Sequence, residues 1–164
     1  MRWILLLMAL VLALAACTSG QEEPQAAIKV VTSVSPITSI VENIACDRAQ
    51  VVGVIPEGED SHTYEPPASV AKELAEAHLI ILNGLYLEEP LLEMAKANKR
   101  PDAEIVLLAD NAITPAQWKF DFSFPREQGK PNPHLWPSTR LAMEYARLAK
   151  EALIRHDPEG APIY

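Results

Sequence analysis

The chain has 164 residues, with 22 acidic side chains against 14 basic ones and a formal net charge of −8. This acidic balance and the lack of a basic stripe argue against a nucleic-acid-binding protein. Only two cysteines are present, so the disulfide framework that supports many small secreted folds is excluded.

Residues 1–16 have the layout of a secretory signal peptide. A short basic start is followed by an unbroken apolar run from Ile4 to Leu14, and small residues precede Cys17. Eleven apolar residues are too few to span a hydrocarbon core of ~30 Å, and a buried core helix would carry polar positions at helical period. The segment from Leu14 to Cys17 resembles a bacterial lipobox, in which the cysteine carries the lipid anchor.

Residues 17–27 are therefore predicted to form a lipid anchor and a flexible tether, because the residues after Cys17 are polar and show no periodicity. A lipidated Cys17 is a thioether and cannot form a disulfide. The other cysteine, Cys46, is then expected to be a lone, part-buried thiol.

From residue 28 onwards, short apolar runs alternate with segments of helical periodicity. The predicted strands are residues 28–33, 50–55, 78–83 and 104–109, and the predicted helices are residues 35–46, 69–77, 85–98 and 138–156. Such alternation predicts parallel βαβ units with right-handed crossovers, and strands that are apolar nearly throughout are typical of a sheet covered on both faces. The predicted fold class is α/β, with a four-stranded parallel sheet and flanking helices. A long loop is expected from Asp110 to Pro133.

Two proline-rich segments that follow predicted strands each carry a histidine. His62 lies in DSHTYEP after the second strand, and His134 lies in PNPHLW after the fourth. Parallel strands place their carboxyl ends at one edge of the sheet, where open α/β sheets bind ligands. Neutral imidazole is the commonest metal ligand, so a metal site is one interpretation. Two distant histidines alone are weak evidence, because most histidines lie on the surface or make structural hydrogen bonds.

The same segments resemble a known family. DSHTYEP, residues 60–66, is similar to the D-x-H-x-Y-E-P signature of the metal-binding lipoproteins of manganese, zinc and iron ABC importers. PNPHLW, residues 131–136, is similar to the second-histidine segment of that family, and residues 75–84 fit it too. The resemblance implies a cluster A-I type solute-binding protein, in which two α/β lobes are joined by a long rigid helix and hold the metal between them.

The resemblance also implies a role for each part of the chain. His62 and His134 match the two metal ligands of the N-terminal lobe. Glu65 is a candidate for orienting a metal-ligating histidine without touching the metal itself. Residues 28–136 correspond to the N-terminal metal-binding lobe, and residues 137–164 to the start of the interlobe helix. No counterpart of the C-terminal lobe follows, so the sequence is expected to represent the N-terminal half of such a protein.

The implied function is to capture a divalent transition metal ion outside the cytoplasmic membrane and deliver it to an ABC importer. The metal is Zn²⁺ or Mn²⁺, with Fe²⁺ as a third candidate, and neither catalysis nor an organic cofactor is expected. The implied partners are an ABC transporter permease and the membrane, reached through the lipid on Cys17, with no nucleic acid. The expected location is extracytoplasmic, in the periplasm or on the outer face of the cytoplasmic membrane.

Two alternatives remain open. A surface adhesion lipoprotein of the same fold is indistinguishable at the level of sequence. A secreted metalloenzyme would require His62 and Glu65 to act as an H-x-x-E pair on one helix face. Pro66 and Pro67 directly after Glu65 make a helix there implausible.

Several other residues are predicted to be structural. His78 opens a strand, and His156 lies in the last turn of a helix, where the helix dipole favours a cation. Asp60 is expected to be a solvated loop acid. The alternating aromatic residues from Trp118 to Phe124 predict an ordered flap rather than a binding platform. Apolar residues on one face of the final helix predict a stripe that is left partly uncovered, namely Leu141, Tyr145, Leu148 and Ala152.

Overall fold

A computed structural model describes residues 28–164; the predicted signal peptide, Cys17 and tether lie outside the described residues. The strands are β1 (Ile28–Thr32), β2 (Ala49–Gly53), β3 (Leu79–Leu82) and β4 (Glu104–Leu107). All pairs in this sheet are parallel, and the order across it is β2-β1-β3-β4. The helices are α1 (Ser35–Ala45), α2 (Ala68–Glu76), α3 (Glu89–Asn98), α4 (Leu108–Ala112) and α5 (Thr139–His156). The predicted four-stranded parallel α/β fold is confirmed.

Helices cover both faces of the sheet. Helix α1 packs against α5, and α2 packs against α3. All four residues of β3 are fully buried, as an inner strand between two helical layers requires. The strand order reverses direction between β1 and β3, which is the switch point where open α/β sheets bind ligands at their carboxyl edge. Within residues 28–164, no helix is both long enough and apolar enough to cross a membrane.

Helix α1 begins with Pro36 in its first turn and ends at Ala45. The next residue, Cys46, has a φ of 49°, a conformation that favours glycine. Cys46 lies beyond the buried face of α1 and is exposed, so the prediction of a part-buried thiol is wrong. Its Sγ lies 3.9 Å from the carbonyl oxygen of Asn43, at the end of the helix.

Helix α3 begins later than predicted, at Glu89 rather than Leu85. Gly84, Leu85 and Tyr86 have φ values of 79°, 52° and 67°, which no α-helix contains. A Cβ atom on Gly84 would lie 2.1 Å from Oδ2 of Asp110, so only glycine fits there. The apolar residues after Gly84 recur at helical spacing, but residues 84–86 form a tight turn before the helix.

The segment after β4 also contains more regular secondary structure than predicted. The strand ends at Leu107, and Leu108–Ala112 form the short helix α4 instead of a strand end and a loop. Two 3-10 turns, Pro115–Gln117 and Arg126–Gln128, follow in the predicted loop. Periodicity cannot separate a strand from a helix in a short apolar run. Here packing of α4 against α5 decides the outcome.

Helix α5 matches the predicted final helix and packs against α1 and α4. Tyr145 and Ala152 are fully buried, and Leu141 and Leu148 are partly buried against the core. The expected uncovered stripe is therefore not found, because α5 packs beside α1 and against β3, and these contacts bury the apolar face of α5. A 3-10 turn, Pro158–Gly160, follows the helix. That residues 137–164 begin an interlobe helix stays a prediction.

Candidate metal centre

The two histidines predicted from the motifs meet at the carboxyl edge of the sheet. The Nε2 atoms of His62 and His134 are 3.3 Å apart, although the residues are 72 positions apart in sequence. Two Zn–N bonds of about 2.0–2.1 Å at the tetrahedral angle separate their nitrogens by about 3.3–3.4 Å. The pair thus has the spacing that two imidazole ligands of one metal ion need.

The loop after β2 holds His62 through local hydrogen bonds. Oδ1 of Asp60 accepts a hydrogen bond of 2.9 Å from the backbone N–H of His62. The hydroxyl of Tyr64 donates to the carbonyl of Val54 at 2.8 Å and ties the loop to the end of β2. Asp60 therefore shapes the turn and is more than the solvated loop acid expected.

Glu65 is exposed, and within residues 28–164 its carboxylate makes no hydrogen bond to either histidine. Its role in orienting a ligand stays a prediction without a contact in its support. The segment around it is not helical, as the two prolines predicted. The helical H-x-x-E geometry of a metalloenzyme is therefore absent from this part of the described chain.

Asn132 fixes the ring of His134. Its Oδ1 accepts hydrogen bonds from Nδ1 of His134 at 2.8 Å and from the His134 backbone N–H at 3.0 Å. The Asn132 amide is itself oriented, because its Nδ2 donates to a carboxylate oxygen of Asp121 at 2.6 Å and a carboxylate only accepts. The proton of a neutral His134 ring is thus assigned to Nδ1, and the Nε2 lone pair points towards His62.

Asp121 is held in turn by the flap. Its Oδ1 accepts hydrogen bonds from the backbone N–H groups of Ser123 and Phe124 at 2.9 and 3.1 Å. The hydrogen bond from Asn132 keeps the pKa of Asp121 below its usual value. Sequence reasoning missed both Asp121 and Asn132, although the N-x-H spacing, which lets an asparagine cap the histidine two residues later, could have indicated Asn132.

The site favours a neutral His134. Burial lowers the pKa of His134, and the neighbouring His62 lowers it further, while Asp121 acts in the opposite direction. A metal ion binds the deprotonated nitrogen, so a lowered pKa reduces competition from protons. The imidazole of His134 is therefore suited to ligation at neutral pH.

Aromatic rings border the pair. The ring of Phe124 lies 5.5 Å from each histidine ring, and the ring of Trp136 lies 5.1 Å from that of His134. Phe124, at the inner end of the flap, borders the candidate site, a contact that the alternating pattern did not reveal. That the flap is ordered stays a prediction. Phe122, one alternation away, is fully exposed.

The two other histidines make structural hydrogen bonds, as predicted for His78. Nδ1 of His78 accepts a hydrogen bond of 3.0 Å from the backbone N–H of Lys29, and Nε2 of His156 lies 3.1 Å from Glu104. Among residues 28–164, no cluster of three or more histidine, cysteine, aspartate or glutamate side chains could hold a metal ion. The candidate centre therefore offers two protein ligands.

A parallel α/β lobe with two converging histidines at its carboxyl edge has the architecture of a ligand-binding lobe of an open α/β protein. Residues 30–164 match the family model described as ZnuA, zinc-uptake complex component A, periplasmic. The chain belongs to this family. The resemblance stated from its two histidine motifs is confirmed.

Curated relatives give the same assignment. The manganese-binding lipoprotein MntA of Halalkalibacterium halodurans is 31% identical over 147 residues, which cover 89% of this chain and 45% of that protein. The manganese ABC transporter substrate-binding lipoprotein PsaA of Streptococcus anginosus is 32% identical over 170 aligned positions, which cover 98% of this chain and 53% of that protein. The chain spans about half the length of the curated relatives it matches.

Solved structures agree in fold. The Mn-bound periplasmic metal binding protein from Candidatus Liberibacter asiaticus superposes with a TM-score of 0.72 at 33% identity, covering 84% of this chain and 48% of that one. The periplasmic zinc binding protein TroA from Treponema pallidum gives 0.72 at 27% identity, covering 82% and 46%. These names describe metal-binding proteins, and none describes an enzyme. At the family level, the expectations of a non-enzymatic binding protein and a transported metal rather than an organic cofactor are confirmed.

Proposed function

We propose that this chain supplies half of the binding site of an extracytoplasmic receptor that captures a divalent transition metal ion for an ABC importer. His62 and His134 are the two ligands that it contributes. The observation that carries the proposal is the separation of 3.3 Å between their Nε2 atoms, which one metal ion can bridge. Zn²⁺ and Mn²⁺ are the proposed cargo, in keeping with the names of the relatives.

Capture proceeds by exchange of metal-bound water for imidazole nitrogen. Asn132 directs the Nε2 lone pair of His134. His62 is exposed, so an incoming hydrated ion can reach His62 first. A closed four-coordinate site needs two more ligands than these histidines provide. In the proposed receptor, a second lobe of a longer protein supplies them, and this lobe alone binds the ion weakly and reversibly.

Selectivity between metals depends on coordination geometry and ligand number, because nitrogen sites bind zinc more tightly than manganese in general. Two imidazoles alone therefore favour Zn²⁺ over Mn²⁺. A receptor that carries manganese needs oxygen ligands in the remaining positions, and within residues 28–164 no carboxylate joins the two histidines in a cluster that could hold a metal ion.

The proposed location is the outer side of the cytoplasmic membrane, with an anchor at Cys17 and a permease as the docking partner. The lipobox-like segment from Leu14 to Cys17 supports the anchor, and the relatives are named lipoproteins of ABC transporters. Changing Cys17→Ser should abolish acylation, which incorporation of a labelled fatty acid followed by membrane fractionation would show. Equal labelling of both proteins would contradict the anchor.

Calorimetric titration of the full chain in detergent with Zn²⁺ at neutral pH tests the binding site. We expect one ion per chain with a Kd of about 1 µM or weaker, because only two ligands are present. His62→Ala and His134→Ala should each remove measurable binding. Binding that persists in both variants would place the metal elsewhere and overturn the proposal, as would a tight complex, which requires more ligands than this pair.

A further inference from the structure

A buried asparagine connects the segment of His134 to helix α5. Asn83 follows β3 and is fully buried, as is Tyr145 in the middle of α5. Nδ2 of Asn83 donates a hydrogen bond of 3.2 Å to the carbonyl of Pro133, the residue before His134. Oδ1 of Asn83 accepts a hydrogen bond of 2.8 Å from the hydroxyl of Tyr145.

The position of Asn83 is fixed because both its backbone N–H and its carbonyl make hydrogen bonds. Its N–H donates to Oε1 of Glu88 at 2.7 Å and lies 3.3 Å from Oγ of Ser33, and its carbonyl accepts from the N–H of Ala109 at 2.8 Å. Glu88 is buried as well, so water does not compete for these contacts. A displacement of Asn83 would break several buried hydrogen bonds at once.

The hydroxyl of Tyr145 and the carbonyl of Gly84 together orient the Asn83 amide. The hydroxyl proton is directed at Oδ1, and Nδ2 donates both to the carbonyl of Gly84 at 2.9 Å and to the carbonyl of Pro133. Without the hydroxyl, Oδ1 becomes a buried acceptor that has lost its donor, and the amide is held through the contacts of Nδ2 alone. The amide can then shift into the space of the missing oxygen, and the carbonyl of Pro133 that it holds shifts with it, which moves the backbone that carries His134.

We propose that Asn83 and Tyr145 are positioning residues for the metal site, which set the place of His134 through the carbonyl of Pro133. The inference rests on the proposed function, because it assigns these residues to the site formed by His62 and His134. Neither residue touches the metal. Their hydrogen bonds keep the two Nε2 atoms at the separation one ion can bridge, and they link that geometry to α5.

Tyr145→Phe tests the proposal by removing one oxygen atom. The measurements are the Zn²⁺ Kd of the full chain by calorimetry and the number of imidazoles bound to Cu²⁺ from its electron paramagnetic resonance spectrum. We expect the Kd to rise about tenfold, the range for residues that orient ligands indirectly. We also expect part of the Cu²⁺ signal to change from two bound imidazoles to one, which a general loss of stability would not produce.

Tyr164→Phe is the matched control. The hydroxyl of Tyr164 donates to Oδ2 of Asp157 at 2.7 Å, beyond the far end of α5, which has 18 residues and is about 27 Å long. This variant also loses one hydrogen bond to a buried acceptor, but it should keep the Zn²⁺ Kd and both imidazoles. Thermal unfolding of the two variants provides the comparison of stability.

Asn83→Asp gives a second test if Tyr145→Phe does not fold. It keeps an oxygen for the Tyr145 hydroxyl and removes the donor to Pro133, so the same loss of the second imidazole is expected. The positioning role is overturned if folded Tyr145→Phe or Asn83→Asp matches Tyr164→Phe in both measurements while His134→Ala abolishes binding. If the unmodified chain binds no Zn²⁺, the proposed function itself fails and the positioning role fails with it.

Discussion

Each edge of the sheet carries two of the four histidines, and the two pairs are used differently. At the amino edge, His78 accepts a hydrogen bond from the backbone of Lys29, and His156 pairs with Glu104. At the carboxyl edge, the Nε2 atoms of His62 and His134 face each other across 3.3 Å. The same residue type thus serves the fold at one edge and places two ring nitrogens within reach of one ion at the other.

The comparison shows that a candidate metal ligand differs from a structural histidine in the hydrogen-bond partners of its ring nitrogens. At the amino edge, the proton arrangement of His78 is tied to a strand, because its Nδ1 must stay deprotonated to accept the backbone N–H. At the carboxyl edge, Nδ1 of His134 is occupied by Asn132, so Nε2 remains for a metal. Exposure alone would not have distinguished them, since His78 and His134 are both half-buried.

The largest effect should come from removing a ligand. We expect His62→Ala or His134→Ala in the full chain to weaken Zn²⁺ binding more than about 100-fold, since indirect orienting groups alone account for about 10–100-fold. His78→Ala and His156→Ala should leave Zn²⁺ affinity unchanged and lower thermal stability instead. Calorimetry and thermal unfolding of the four variants check this, and equal loss of binding from either edge would remove the distinction.

A smaller effect is expected from changing Asn132, which accepts the hydrogen bond from Nδ1 of His134. Asn132→Ala removes the acceptor of the Nδ1 proton, so the ring is free to change tautomer or turn, and Zn²⁺ affinity should fall about 10-fold to 100-fold. Asn98→Ala is the matched control, because this exposed amide donates only to the carbonyl of Met94 within α3. An affinity of Asn132→Ala equal to that of the control would show that Asn132 does not orient the ligand.

The smallest effect concerns the amino edge and pH. Burial lowers the pKa of His78, and Arg100 lowers it further. The folded state then binds fewer protons than the unfolded state, so this contribution to stability is present above the unfolded pKa of about 6.5 and is lost as pH falls through the folded value. His78→Asn keeps an acceptor for Lys29 but cannot titrate.

Denaturant unfolding of the metal-free chain between pH 7.5 and 5 measures this contribution. The variant His78→Asn should lose less of its free energy of unfolding on acidification than the unmodified protein does. Parallel curves for the two proteins would mean that His78 does not couple folding to pH.

Much of the fold could be predicted because its signals are local. The apolar runs that became β1, β2, β3 and β4 are short and bounded by turn residues, and parallel sheets require such strands. The failures lie where local pattern and packing disagree. The helical spacing after Leu85 gave no sign of three successive positive φ angles. The carboxylates of Glu88 and Asp110 stabilise this turn by accepting hydrogen bonds from the backbone N–H groups of Gly84 and Leu85.

The sequence by itself determined the fold class and the two histidine segments, because apolar period and proline-braced motifs are written in consecutive residues. The tertiary structure decided what those histidines can do. Only the tertiary fold brings His62 beside His134. The same fold places Asp121 where it orients the Asn132 amide, and it connects Pro133 to α5 through Asn83. Hydrogen-bond direction depends on neighbours distant in sequence, and a ligand exists only where those neighbours leave its lone pair free.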